Sequence, residues 1–254
     1  MKKLISVTTR LLAVMVVLLS SLSFAHAHEK NLATTLENRD IPRYVEQKNR
    51  MLQGNVDILW VGDSITHFWE TSGKAVWDKF YGKRNAMNFA ISGDRTGHVL
   101  WRIENSPMDK ISPKLIILMI GTNNIGHKKP NSQEMHSTPS ETVEGIETIV
   151  NKLKETYPQA QLLLLDVFPR GNKPDDPFRI AVNDINAGLR KIYLDNKVEN
   201  VKMYEIGNLF LDENGILSPE IMPDFLHPNQ KGYEIWANAI EPVIVDVLGE
   251  GNQN

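Results

Sequence analysis

The 254-residue chain has no cysteine, which excludes a disulfide framework and a thiol-linked lipid anchor. It carries no excess of positive charge: 28 Lys and Arg stand against 31 Asp and Glu, a formal net charge of −3. With no basic cluster, nucleic acid and anionic membrane are poor candidate partners. Neither GxGxxG nor a Walker pattern occurs, so nucleotide binding lacks support. No HxxH or HExxH spacing occurs among the 7 histidines, and neither a metal nor any other cofactor is expected. Internal repeats, low-complexity tracts and a dividing linker are also lacking.

Beyond the N-terminus no apolar run reaches membrane-spanning length. "KLIILMIG" (114–121) is the most apolar, and it is strand-sized. The N-terminus itself has the order of a signal peptide: Lys2, Lys3 and Arg10, then apolar Leu11 to Leu19, then the small-x-small site Ala25-His26-Ala27. Residues 1–27 are therefore expected to be a cleaved export signal and not a stable membrane anchor. Their removal takes three cations and no anion, moving the formal charge from −3 to −6. The mature chain, 28–254, would act in the periplasm or outside the cell.

What is present is an alternation of short apolar runs and longer amphipathic ones. Strands are predicted at 56–62, 86–92, 114–121, 161–168 and 201–207; helices at 41–52, 95–105, 138–158, 175–196 and 229–249. The first, third and fourth strands are apolar on both faces, as in a parallel sheet covered on both sides. The 138–158 helix opens with a capping signal and lines up Val143, Ile146, Ile149, Val150 and Leu153. This order predicts one three-layer α/β/α domain on a five-stranded parallel sheet. Long loops at 122–137 and 169–177 should furnish the rim beyond the strand ends, where open α/β sheets bind ligands.

Polar residues gather at those strand ends: Gly62-Asp63-Ser64, Ser92-Gly93-Asp94 and Gly121-Thr122-Asn123-Asn124. Near the C-terminus comes "MPDFLHPNQKGY". Taken singly, Ser64 reads as a helix cap and the others as turns. Taken together, they are the parts that acyl transfer needs. A serine requires a neutral histidine to accept its proton, and the histidine requires a carboxylate to fix its tautomer. Asp224 and His227, three residues apart, can pair locally. The Ser64 amide, the Gly93 amide and the Asn123 side chain could receive an oxyanion, and glycine at 93 would let backbone approach substrate. The elbow GxSxG is missing, which disfavours the α/β-hydrolase fold.

In that order "VGDSIT", "ISGDRT", "GTNN" and "PDFLHP" resemble the four blocks of the SGNH (GDSL) hydrolase superfamily. "GDRTGHVLWRIEN", "VFPRGNKPDDPFR" and the stretch from Gly215 to Pro242 resemble more narrowly the branch similar to platelet-activating-factor acetylhydrolase catalytic subunits. The resemblance spans about residues 40–245. It implies a flavodoxin-like SGNH hydrolase fold, with Ser64 as nucleophile, His227 as base and Asp224 as its orienter. Ser64, Gly93 and Asn123 would form the oxyanion hole, and Ile65, Thr122 and Leu226 an acyl pocket that admits acetyl. The expected activity is that of an exported serine esterase removing acetyl groups from carbohydrates through an acetyl-serine intermediate. A phospholipid or lysophospholipid esterase and a catalytically silent carbohydrate-binding protein are the rivals.

Around these blocks, Trp69 is a candidate for stacking on a sugar, and His67 and His98 for lining the cleft. Arg95 and Arg170 read either as substrate contacts at the rim or as salt-bridge partners. No oligomeric seam is legible.

Overall fold

The computed structural model describes residues 31–126, 136–196 and 198–249. The expected signal peptide, His127 and most of the 122–137 loop lie outside them. Five strands form one parallel sheet: β1 (Ile58–Gly62), β2 (Ala86–Asn88), β3 (Leu115–Met119), β4 (Gln161–Leu165) and β5 (Val201–Tyr204). Their order across the sheet is β2-β1-β3-β4-β5. Every residue of β1 and β3 is buried, as the two-sided apolar runs require.

Alternation along the strands sorts those residues between two cores. Leu59, Val61, Ile116, Leu118, Leu162 and Leu164 face one side. There they meet α1 (Pro42–Leu52), α4 (Thr96–Glu104), α5 (Pro139–Thr156) and α6 (Pro177–Tyr193). The predicted stripe from Val143 to Leu153 is buried here, and Thr138 with Glu141 forms the capping box that starts α5. Ile58, Trp60, Ile117, Met119, Leu163 and Leu165 face the other side. That side is covered by α2 (Ser64–His67), α3 (Lys74–Phe80) and α7 (Gln230–Leu248).

The predicted 86–92 strand ends early, at Asn88. Phe89 and Ile91 still donate to Trp60 and Gly62 of β1. The carbonyls of Asn88 and Ala90, however, accept from Gln47, and that of Ala90 also from Arg43 of α1. Side chains thus take the outer edge of the sheet, where unpaired strand carbonyls would otherwise invite another chain. Helix α3 was not predicted. At seven residues it is too short to carry a period, and it stands because Val76 packs into the second core beside the aromatic cluster.

Trp69 differs from its reading as a sugar platform. It is fully buried, with Trp60, Trp77, Tyr81, Tyr233 and Trp236 at ring-centroid distances of 4.4 to 6.0 Å. Although it follows the Ser64 turn in sequence, it packs into the second core. Trp69→Ala should therefore destabilise the protein by about 3–5 kcal/mol, with Trp69→Phe costing less, as read by denaturant unfolding.

Candidate active site

Strand order places the site. The chain leaves β1 for the outer strand β2 and then crosses to β3 on the other side, so the loops after β1 and β3 diverge at a switch point. Gly62 pairs with Met119 at the two strand ends. A Cβ on Gly62 would lie 2.6 Å from the Met119 carbonyl oxygen and 2.3 Å from Thr66 Oγ1, so only glycine lets the turn fold this tightly. Ser64 and Asn123 follow these two ends.

Ser64 is the first residue of α2, and the cap is Asp63, whose Oδ1 accepts from the Ile65 amide at 3.0 Å. The capping role that a serine at such a turn usually fills is taken, and Ser64 Oγ is left for other work. Ser64 is 7% exposed. His227 Nε2 lies 2.9 Å from Ser64 Oγ, across 163 sequence positions. On the other side of the ring, His227 Nδ1 is 2.6 Å from Asp224 Oδ2. Asp224 Oδ1 accepts from the Leu226 and His227 amides at 3.1 and 2.7 Å, so the carboxylate is aimed by its own turn. Burial works to raise the Asp224 carboxyl. The His227 amide and ring outweigh it and hold Asp224 below the usual carboxylate range. With Asp224 ionised, Nδ1 carries the proton and Nε2 is free to take one from Ser64.

The segment bearing this pair is anchored by the loop after β4. Gly171 N donates to Phe225 O at 2.9 Å, and Asn172 and Leu217 exchange hydrogen bonds. The buried Arg179 donates to the carbonyls of Arg170, Gly171 and Gly215. The 169–177 loop therefore buttresses the histidine more than it furnishes an open rim. Arg170, read as a substrate contact or an ion-pair partner, is 4% exposed and forms no ion pair among the described residues. It donates to the carbonyls of Thr122 and Gly126, which bracket Asn123, and stacks over Phe178.

The three donors expected for an oxyanion are placed as follows. Among the described residues, neither the Ser64 nor the Gly93 amide donates to another protein group. Gly93 has φ +82°, a conformation that turns its amide as an L side chain rarely allows. One N–H of Asn123 Nδ2 goes to the Asp94 carbonyl at 2.9 Å, which leaves the second available. The 92–94 turn is tied to the helix that Ser64 begins through His67 Nδ1, 2.8 Å from Ser92 Oγ and accepting from the Ser92 amide. Burial and the nearby Arg43 lower the His67 pKa, in keeping with a neutral ring that accepts at Nδ1.

The remaining predicted residues are placed as follows. Ile65 is fully buried in the second core, with Leu226 packed against the same cluster. Thr122 is also fully buried, its Oγ1 without a hydrogen-bond partner among the described residues, and lies outside that cluster. His98 accepts from the Arg95 amide at the start of α4, and Arg95 pairs with Glu37. These two are held at the start of α4 by each other and by Glu37, 58 positions before Arg95, and neither contacts Ser64 among the described residues. Asp63, Asp94, Arg102 and Arg39 escaped the sequence reading as contributors. Asp63 and Asp94 stood within the quoted blocks, whereas Arg102 looked like an ordinary helix residue.

The GDSL-like lipase/acylhydrolase family matches residues 60–235. Platelet-activating factor acetylhydrolase IB subunit alpha2 from rat is 34% identical over 212 residues, covering 82% of this chain and 86% of that protein. The human alpha1 subunit is 29% identical over 194 residues, covering 76% of this chain and 78% of its own. Among solved structures, the acetylxylan esterase from Geobacillus stearothermophilus superposes with a TM-score of 0.58 at 18% identity, covering 74% and 93% of the two chains. At that identity the likeness is one of fold.

Asn123→Ala should lower kcat on a short ester by about a hundredfold to a thousandfold with little change in KM, read by steady-state kinetics. A second prediction concerns Asp63. It is fully buried and its Oδ2 has no donor among the described residues; burial first, and Asp94 second among the raising causes, push its pKa up to about 7. Because the folded pKa exceeds the unfolded one, its contribution to stability is full in acid and is lost as pH rises toward 7. Asp63→Asn should flatten that loss, so the Tm difference between variant and wild type should shift in the variant's favour from pH 5 to pH 8.

Proposed function

Because the chain belongs to the GDSL-like lipase/acylhydrolase family and is a carboxylic ester hydrolase, we propose that it removes acetyl groups from carbohydrate hydroxyls outside the cytoplasm. The observation that carries the chemistry is the unbroken contact line from Asp224 through His227 to Ser64 Oγ. In this reading His227 takes the Ser64 proton as Oγ attacks the ester carbonyl. The negative charge collects on the carbonyl oxygen, facing the Ser64 and Gly93 amides and the free N–H of Asn123. The tetrahedral intermediate then collapses: the C–O bond to the alcohol breaks, His227 returns its proton to the departing oxygen, and an acetyl-serine remains. Water, deprotonated by the same ring, attacks that ester and releases acetate.

One consideration favours acetyl. The relatives and the fold neighbour are both named for acetyl esters, the former on a lipid and the latter on xylan. A lipid alcohol is the second reading, and the 34% identity to the acetylhydrolase subunits favours it. The carbohydrate reading rests on the expected export signal, which would place the enzyme among glycans.

Activity on p-nitrophenyl esters should be confined to acetate and its near homologues, and Ser64→Ala should lower kcat by at least about 10⁴-fold. Acetate release from acetylated xylo-oligosaccharides should exceed release from a 2-acetyl ether phospholipid; the reverse ranking would transfer the enzyme to lipids. Edman sequencing of protein from the extracytoplasmic fraction should begin near His28.

A further inference from the structure

The second half of the oxyanion hole hangs from a charge cluster that includes a residue outside the family-matched region. Asp94 is fully buried, and two guanidinium groups hold it. Arg102 of α4 reaches Oδ2 with Nε at 2.9 Å and Nη2 at 2.7 Å, and caps the Phe89 carbonyl with Nη1 at 2.6 Å. Arg39 comes from the irregular segment before α1, 55 positions away. Its Nε donates to Asp94 Oδ1 at 2.7 Å and its Nη2 to the Ser92 carbonyl at 2.6 Å. One side chain thus grips residues 92 and 94 on both sides of Gly93. A Cβ on Gly93 would stand 3.5 Å from Arg39 Nη2, so the guanidinium lies directly against the hole glycine.

The same cluster reaches the other donor. The Asp94 carbonyl accepts from Asn123 Nδ2, so whatever fixes residue 94 also fixes the Asn123 amide. Within the trio, two cations on one carboxylate leave a positive charge in excess, beside the place where negative charge would develop. Arg102 is wholly buried and works as core, whereas the Arg39 side chain is 23% exposed and reaches the cluster from the rim. The segment that carries Arg39 is itself fastened across the start of α4: Thr96 Oγ1 donates to the Ala33 carbonyl at 2.6 Å, and Glu37 N donates to Gly97 O at 3.1 Å.

We infer that Arg39 is a positioning residue for ester hydrolysis: through its two-point grip on Ser92 and Asp94 it preorganises the Gly93 and Asn123 donors for the oxyanion. The inference rests on the hydrolase reading of Ser64 and is independent of the natural alcohol, so p-nitrophenyl acetate suffices to test it. Arg39→Met keeps much of the apolar stem and removes both grip and charge; Arg39→Lys keeps the charge and gives up the fork.

Arg39→Met should lower kcat about 10- to 100-fold while KM stays within about twofold, since a preorganised donor acts on the transition state. A boronic acid, which forms a tetrahedral anionic adduct on the serine, should bind more weakly by a comparable factor. Arg39→Lys should fall between Met and wild type. Combined with Asn123→Ala, Arg39→Met should lower kcat little further, because both act through one hole.

A folded Arg39→Met with wild-type kcat and boronate affinity would overturn the inference. So would a rise in KM alone, which would make Arg39 a contact for the alcohol, or full additivity with Asn123→Ala. If Arg39→Met does not fold, Arg39→Lys decides: wild-type kcat there overturns the proposal, and a several-fold fall at constant KM supports it. Absence of Ser64-dependent turnover in the unaltered protein would instead defeat the hydrolase reading beneath it.

Discussion

Asp94 is a carboxylate with no exposure to water, and much of the site follows from how that charge is accommodated. An isolated ion in such surroundings would cost many kcal/mol, so it must be met by fixed opposite charge and by hydrogen bonds. Arg102 meets it from within the domain and Arg39 from the segment before the first helix. Once the carboxylate is held, its backbone is held as well, and the neighbouring Gly93 amide and the Asn123 side chain take their places from it. Desolvation offsets much of the attraction in a buried ion cluster of this kind, but the cluster permits few alternative arrangements, and so it fixes the groups attached to it.

The other half of the machinery is built on different physics. Asp224 and His227 are aligned by a local turn, with one carboxylate oxygen on two backbone amides and the other on the ring. That turn is then pinned to the loop after β4 by backbone hydrogen bonds and by Arg179, which donates to carbonyls on both sides. Only when the turn is docked does the ring meet Ser64. Between the two halves, Asp63 caps the short helix α2 and so frees the serine oxygen, while its other oxygen, which has no donor among the described residues, lowers stability as the pH rises.

Several features were legible because they are local. The capping box at Thr138 and Glu141, the buried stripe of α5, and the two-sided apolar strands each express a period or a spacing that short-range sterics and burial impose. Other features were misread for the converse reason. Trp69 follows the Ser64 turn in sequence, yet the fold packs it among five other aromatic rings beneath the sheet. Arg170, open to reading as a substrate contact at the rim or as a salt-bridge partner, is instead a buried brace on the carbonyls around Asn123. The 86–92 strand was shortened by side chains of α1, which no pattern within the strand announces.

The sequence by itself determined the alternation of strands and helices, the five-stranded α/β class, and the set of groups able to perform acyl transfer, because periodicity, turn chemistry and residue type are properties of neighbours along the chain. It also determined the Asp224–His227 pairing, which needs only one turn of backbone. Tertiary structure alone decided that Ser64 is relieved of capping and faces a histidine 163 positions away. It alone decided that Arg39 reaches across 55 positions to a buried carboxylate. Those meetings depend on which strand ends diverge at the switch point and on which charges can be desolvated together, and both are settled only when the whole chain packs.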